Sequence, residues 1–141
     1  MKKILIINSN YYKEVSKNLV LNAKKTLIKK KFLVDKLDVP GVYEIPISIS
    51  RNFKKYDGIV ALGCVIKGET PHFDFICSSV FNSILKLSIL YKKPVGNGII
   101  TALNLKQAIR RSIKSDKKKP NKGLEAANAV VMILKNGPKK I

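Results

Sequence analysis

Apolar and polar positions along the chain follow two different periods. Short, almost wholly apolar runs predict four buried strands, over residues 3–8, 32–39, 57–66 and 94–101. Apolar residues four positions apart, with lysines between them, predict an amphipathic helix over residues 13–31. Further helices are predicted after the second strand up to about residue 53, and over residues 73–91, 104–113 and 121–135. Asn104 and Gln107, three residues apart, resemble a capping box at the start of the helix over residues 104–113.

The alternation of strands and helices predicts the fold class. Four strands that are each followed by a helix are typical of a parallel sheet covered on both faces. The third run, DGIVALGCVI, is apolar without alternation, as expected for a central strand. We predict an α/β fold, a three-layer αβα sandwich with a four-stranded, mostly parallel, doubly wound (flavodoxin-like) sheet. Because no linker or repeat interrupts the chain, residues 1–141 are expected to form a single domain.

The helix predicted over residues 73–91 is apolar on more than one side. One stripe comprises Phe73, Ile76, Val80, Ile84 and Leu87, and a second comprises Phe81, Leu85 and Ile89. We expect one side to pack on the sheet and the other on a neighbouring subunit.

Composition narrows the class of protein. No apolar run approaches the ~20 residues of a membrane-spanning helix. The apolar run in the N-terminal segment MKKILIIN is too short to be the hydrophobic core of a signal peptide. We therefore expect a cytoplasmic protein without a membrane partner. Cys64 and Cys77 match no metal-ligand spacing, which favours two reduced thiols and no metal site.

The net charge of +19 raises the possibility of nucleic-acid binding, because polycations gain affinity for phosphate backbones by releasing counterions. Of the 28 basic residues, however, only three are arginines, whose fork fits phosphates and base edges best. The lysines are also spread along the whole chain. A solvated basic surface is therefore favoured and a nucleic-acid partner is not expected, although such binding remains an alternative function.

Chemically useful side chains follow each predicted strand. The segments are SNYY after the first strand, PGVYE after the second, KGETPHFDF after the third, and GNG with Thr101 near the end of the fourth. Ligands of doubly wound sheets bind outside the carboxyl ends of the strands. Aromatic, carboxylate, glycine and imidazole groups thus converge on one edge, where we expect the site.

The segment GETPH contains the only histidine of the chain. Thr70 is predicted to cap the following helix with Pro71 as its first residue, and the free amides beside Gly68 suit an anion. His72 lies in the first turn, where the positive helix end favours a neutral imidazole that can shuttle a proton. A lone histidine is more often a surface or core residue, but this position favours a catalytic role.

Three other residues at this edge each have two interpretations. Tyr11 is either an exposed loop aromatic or a surface on which a ring stacks. Tyr43 either packs or shapes a pocket, and Glu44 is either a carboxylate at a helix N-terminus or a ligand contact.

Four segments carry a resemblance to a known family. VPGVYEIP, ALGCVIKGETPHFD, GNGIIT followed by LNLKQAIRR, and NKGLEAA resemble in order and spacing the signatures of 6,7-dimethyl-8-ribityllumazine synthases. The resemblance covers residue 4 to about residue 134. It implies a transferase that condenses 5-amino-6-(D-ribitylamino)uracil with 3,4-dihydroxy-2-butanone 4-phosphate, releasing phosphate and water. This is the penultimate step of riboflavin biosynthesis, and the family uses no cofactor or metal.

The resemblance also implies roles for individual residues. Tyr11 would stack on the pyrimidine, and His72 would transfer protons. The ribityl chain and ring edge would be held by Val42, Tyr43 and Glu44. The pyrimidine slot would be lined by Cys64, Val65 and Ile66. The phosphate would be bound by Glu69, Thr70, Arg111 from the neighbouring side, and Lys122.

Three departures from the family pattern bear on the site and on assembly. Asn97 stands where many members have a phenylalanine, so that its amide could hydrogen-bond the pyrimidine instead. The loop between Arg111 and Asn121 is about three residues longer than the common form, and the chain starts directly in its first strand. With +19 charges per subunit, these features favour a free pentamer or a pair of pentamers over a capsid.

The resemblance further implies small-molecule substrates, active sites between adjacent subunits, and riboflavin synthase as a partner. A third hypothesis is a non-catalytic flavin or pteridine binder that retains the pocket, which would bind its ligand without turnover.

Overall fold

The computed structural model describes residues 1–113 and 121–141. The lysine-rich loop predicted at residues 115–119 lies outside these ranges. So does most of the segment between Arg111 and Asn121, which is expected to be longer than in the common form of the family.

Strands and helices alternate through the described residues. The strands are β1 (Lys3–Ser9), β2 (Leu33–Val39), β3 (Gly58–Ile66) and β4 (Val95–Ala102). The α-helices are α1 (Lys13–Lys29), α2 (Ile45–Asn52), α3 (His72–Tyr91), α4 (Leu105–Ser112) and α5 (Lys122–Lys135). Each predicted strand and helix is present, and the largest difference in bounds is at the end of α1, which stops at Lys29 rather than at residue 31.

The sheet has the order β2-β1-β3-β4, and all its neighbouring strands are parallel. One apolar core lies beneath α1, α4 and α5, and a second lies beneath α2 and α3 on the opposite face. The predicted three-layer, doubly wound fold is therefore confirmed. Because β3 is central and covered on both faces, its residues from Gly58 to Cys64 are all buried, as its unbroken apolar run indicates.

Helix α3 is apolar on two sides, as predicted. Val80 and Ile84 are buried against the sheet, whereas Leu85, Ile89 and Leu90 are between 61% and 72% exposed. By length and composition alone this helix could cross a membrane. A single such helix is weak evidence for a span, and its inner side packs on this protein's own sheet.

Of the two predicted N-terminal caps, the one of α4 is present in the structure and the one of α3 is not. At α4, the Asn104 side chain accepts a hydrogen bond from the Gln107 amide at 2.8 Å, and the Gln107 side chain accepts one from the Leu103 amide at 2.8 Å. This reciprocal cap is the one predicted, although it reaches one residue further back. At α3, the prediction that Thr70 caps the helix is wrong. Pro71 occupies the cap position with ψ near 1°, and its carbonyl accepts from the Phe75 amide.

Two glycines allow α5 to lie directly on neighbouring backbone. A Cβ atom at Gly96 of β4 would lie 2.1 Å from the Ala126 carbonyl oxygen, and one at Gly123 of α5 would lie 2.4 Å from the Leu19 carbonyl oxygen. Real Cβ atoms do not approach backbone so closely, and backbone cannot move aside as a flexible side chain can. The distances of α5 from β4 and from α1 therefore depend on the absence of these side chains.

We expect Gly96→Ala to lower the free energy of unfolding by about 3 kcal/mol, because the added methyl group must displace α5. Gly137→Ala is the control, since a Cβ there meets nothing within 4 Å, and its effect should stay within about 0.5 kcal/mol. Urea denaturation followed by circular dichroism measures both. Equal midpoints for the two variants would contradict the close packing of α5.

Candidate active site

The carboxyl ends of β1, β2 and β3 lie against one another. A Cβ atom at Gly63 of β3 would lie 2.8 Å from Val42 Cγ1 and 3.0 Å from Ser9 Cβ. These contacts bring the segments that follow β1 and β2 onto β3. Tyr12 follows β1, and the pKa of its hydroxyl is raised by burial and, to a smaller extent, by the Cys64 thiol. The predicted convergence of these loops is therefore present.

Two aromatic rings at this edge are open to a ligand. Tyr11 is 73% exposed and contacts Tyr12 edge-on, with 4.9 Å between ring centroids. Tyr43 is 68% exposed and, with Glu44 and the α3 residue Ser79, lines a groove of about 410 Å³. Both rings have a free face on which a planar ligand could stack.

The last residues of β3 form a wall that can contact a ligand through its shape and its backbone groups, but that offers no reactive side chain. Cys64 is buried, Val65 and Ile66 are half-buried, and all three pair with β4. Burial raises the pKa of the Cys64 thiol to about 11. The thiol therefore stays protonated near neutral pH and is a poor nucleophile.

The segment between β3 and α3 is open and suited to an anion. Gly68, Glu69, Thr70 and His72 are all exposed. A Cβ atom at Gly68 would meet no atom of the described residues within 4 Å, and the backbone there does not have a positive φ. Neither packing nor strain therefore requires glycine at this position. Free amides at the start of the long helix α3 favour negative charge nearby, and His72 is the first residue of that helix.

The remaining predicted residues line a separate cavity of about 570 Å³ beside β4. Its lining includes Asn97, Arg111 and Lys122. β4 is an edge strand, and two of these side chains bond backbone groups along its edge. Asn97 Oδ1 accepts from the Ile99 amide at 3.0 Å, and the Arg111 guanidinium donates to the Thr101 carbonyl at 3.0 Å.

The predicted site residues thus fall into two groups on one subunit. Asn97, Arg111 and Lys122 share the cavity beside β4. The groups that follow β1, β2 and β3, including Tyr11 and His72, do not line that cavity in the part of the chain that the structure describes. On one subunit, therefore, three predicted residues share the cavity beside β4, and the loops that follow β1, β2 and β3 lie outside the described lining of that cavity.

Asn121 is a residue whose role the sequence analysis missed. It is fully buried, accepts a hydrogen bond from the Leu124 amide at 2.9 Å, and donates to the carbonyls of Ser112 and Ile113. These bonds tie the end of α4 to the start of α5. Because Arg111 and Lys122 lie immediately beside the joined backbone, Asn121 holds two residues of the cavity in place. Its only signal in the sequence is its position before an amphipathic helix, which indicates a cap and nothing more.

Comparisons with known proteins agree on one family. A family model described as 6,7-dimethyl-8-ribityllumazine synthase matches residues 1–136. A protein of that name from Bartonella henselae is 41% identical over 135 residues, which cover 93% of this chain and 85% of the relative. Another from Bartonella tribocorum is 36% identical over 135 residues, covering 94% and 89%. A third, from Vesicomyosocius okutanii, is 39% identical over 143 residues, covering 94% and 84%.

We expect Asn121→Ala to lower the free energy of unfolding by about 3 kcal/mol, because the buried Ser112 carbonyl, the partly buried Ile113 carbonyl and one amide lose their partner. Asn104→Ala is the matched control. Asn104 caps α4 through a single bond from an exposed position, so that its loss should cost about 1 kcal/mol. Chemical denaturation of both variants gives the comparison. If Asn121→Ala cost no more than Asn104→Ala, the buried bonds would not stabilise the α4–α5 connection.

Proposed function

The chain belongs to the 6,7-dimethyl-8-ribityllumazine synthase family, and from this premise we propose how its residues carry out the reaction. The chain is an enzyme of riboflavin biosynthesis. It condenses 5-amino-6-(D-ribitylamino)uracil with 3,4-dihydroxy-2-butanone 4-phosphate to give 6,7-dimethyl-8-ribityllumazine, phosphate and water. The assignments of individual residues, the assembly and the absence of a cofactor are our proposal.

The active site is completed between two adjacent subunits of a homo-oligomer. The observation that carries this proposal is the separation of Asn97, Arg111 and Lys122 from the residues that follow β1, β2 and β3. A neighbouring subunit would supply one group to the other. The exposed apolar residues Leu85 and Ile89 on α3 offer a surface for that contact. A pentamer, free or paired with a second, fits a chain that carries +19 charges better than a large shell does.

The pyrimidine substrate binds between the tyrosine edge and the end of β3. Tyr11 stacks on the ring, while Val42, Tyr43 and Glu44 contact the ribityl chain. The backbone of Cys64, Val65 and Ile66 lines the slot.

Asn97 of the neighbouring subunit adds a hydrogen-bond donor. The carbonyl oxygen of its side chain already accepts from Ile99, and only the oxygen of an amide can accept. The NH₂ group is therefore the part that faces the substrate, and it can donate to a pyrimidine oxygen.

The phosphate of the second substrate binds at the start of α3. Free amides beside Gly68, Glu69 and Thr70 bind its oxygens. Arg111 from the neighbour adds a charged fork, since one bond to Thr101 leaves further N–H groups available. Lys122 contributes a second positive charge.

His72 transfers protons beside the leaving phosphate. Formation of the imine, elimination of phosphate and ring closure each require proton transfer, and none requires a strong nucleophile. The protonated Cys64 thiol is consistent with that chemistry. The reaction proceeds without a cofactor. We place the enzyme in the cytoplasm, where riboflavin synthase would consume its product.

Turnover by the purified protein tests the function directly. The protein is desalted with a chelator and mixed with both substrates, and lumazine formation is followed by absorbance and fluorescence. Product above the uncatalysed rate establishes a cofactor-independent synthase. Pyrimidine binding without turnover would favour the non-catalytic binder, and salt-sensitive RNA retention without turnover would favour the nucleic-acid hypothesis.

We expect His72→Ala to reduce kcat by about 10²- to 10⁴-fold without abolishing turnover, because general acid–base catalysis typically contributes that much. Positioning of the two substrates supplies the remainder. Steady-state kinetics on a variant with an unchanged sedimentation profile measures the effect. Complete loss of turnover in a correctly assembled variant would contradict this division.

We expect Arg111→Ala to raise KM for the butanone phosphate by about tenfold or more, because a charge-assisted contact to phosphate is lost. Arg51→Ala is the control for charge, since Arg51 is exposed in α2 and lines no part of the cavity. It should leave both KM values unchanged. A defect confined to the pyrimidine substrate would refute the role given to Arg111.

A further inference from the structure

A basic groove of about 410 Å³ lies between α1 and β2, and the proposed reaction does not use it. Four lysines line it, Lys13, Lys17 and Lys24 from α1 and Lys36 from β2. Among the described residues that line it, Asp38 is the one carboxylate, so that these residues carry a net charge of +3 (four lysines less one aspartate).

The aspartate in the groove is already occupied. Asp38 lies 3.0 Å from Lys36 Nζ and accepts a hydrogen bond from the Asn8 amide, also at 3.0 Å. The Asn8 bond, followed by Lys36, lowers the pKa of the Asp38 carboxyl below its usual value. Within residues 1–113 and 121–141, Lys13, Lys17 and Lys24 form no ion pair. Three of the four positive charges are therefore available to a ligand.

These three lysines form a row rather than a cluster. They lie at i, i+4 and i+11 along one side of α1, so that the row extends for about 16 Å at 1.5 Å per residue. Val20 and Leu21 separate the second lysine from the third on the same wall. A row of point charges is complementary to an extended anion and makes fewer contacts with a compact one.

We propose that this groove binds a linear polyphosphate chain. Lysine binds phosphate as a compact point charge, which suits a ligand without directional recognition. In the part of the chain that the structure describes, neither an arginine nor an aromatic side chain lines the groove. Single-stranded nucleic acids are bound by basic grooves that also carry aromatic rings on which the bases stack, so a chain of phosphates without bases fits the lining better than RNA does.

Isothermal titration calorimetry with inorganic tripolyphosphate and with longer polyphosphate tests the proposal. One variant carries Lys13→Gln, Lys17→Gln and Lys24→Gln together. The control carries Lys25→Gln, Lys29→Gln and Lys30→Gln, three exposed lysines of the same helix and its cap that do not line the groove. Both variants lose three positive charges, and both should keep the wild-type circular dichroism and turnover.

We expect the groove variant to bind polyphosphate about tenfold or more weakly than the control. The slope of the logarithm of its binding constant against the logarithm of salt concentration should become shallower by about 2, since each of the three lost phosphate contacts contributes about 0.7. Equal weakening in the two triple variants would overturn the proposal, because it would indicate net charge alone. Loss of binding in Arg111→Ala with no effect of the groove variant would place the anion in the cavity beside β4. The choice of polyphosphate as the ligand would be refuted if a single-stranded RNA or an acidic peptide bound more tightly than polyphosphate and lost that binding in the groove variant.

Discussion

The direct contact of α5 with neighbouring backbone determines where much of the proposed site lies. No side chain fits between Gly96 and Ala126, or between Gly123 and Leu19, so that α5 has one position relative to β4 and α1. Lys122 adjoins Gly123, and Asn97 adjoins Gly96. The contacts that close the core on this face therefore also set the positions of two groups that are proposed to bind the substrates.

Much of the fold could be predicted because buried positions are apolar and recur along the sequence with the period of the strand or helix. The unbroken apolar run of β3 reflects a strand covered on both faces, and the four-residue repeat of α1 reflects one buried side. The start of α3 could not be predicted from the same rules. Thr70 and Pro71 are both common near helix starts, and which of them adopts the cap conformation depends on the backbone of a loop without periodicity.

The meeting of the segments that follow β1 and β2 could also be predicted, since parallel strands bring their carboxyl ends to one edge. The contacts around Asn97 and Arg111 could not, because they depend on β4 being the edge strand with free backbone groups. An alternation of strands and helices leaves the strand order undetermined. Asn121 was missed for a similar reason, because its partners Ser112 and Ile113 lie nine and eight residues before it in the chain. The substrate roles of individual residues stay predictions.

The proposed sharing of the site between subunits would make assembly a condition of catalysis. An isolated subunit leaves His72 exposed at one place and Arg111 exposed at another, where water screens the charge of the guanidinium. Contact through the apolar side of α3 would bring a neighbour's arginine to the anion-binding amides and exclude water from between them. The same charge then interacts with the phosphate more strongly, because the effective dielectric constant is lower. In the proposed assembly, the exposed apolar residues of α3 would thereby contribute to the chemistry as well as to the contact between subunits.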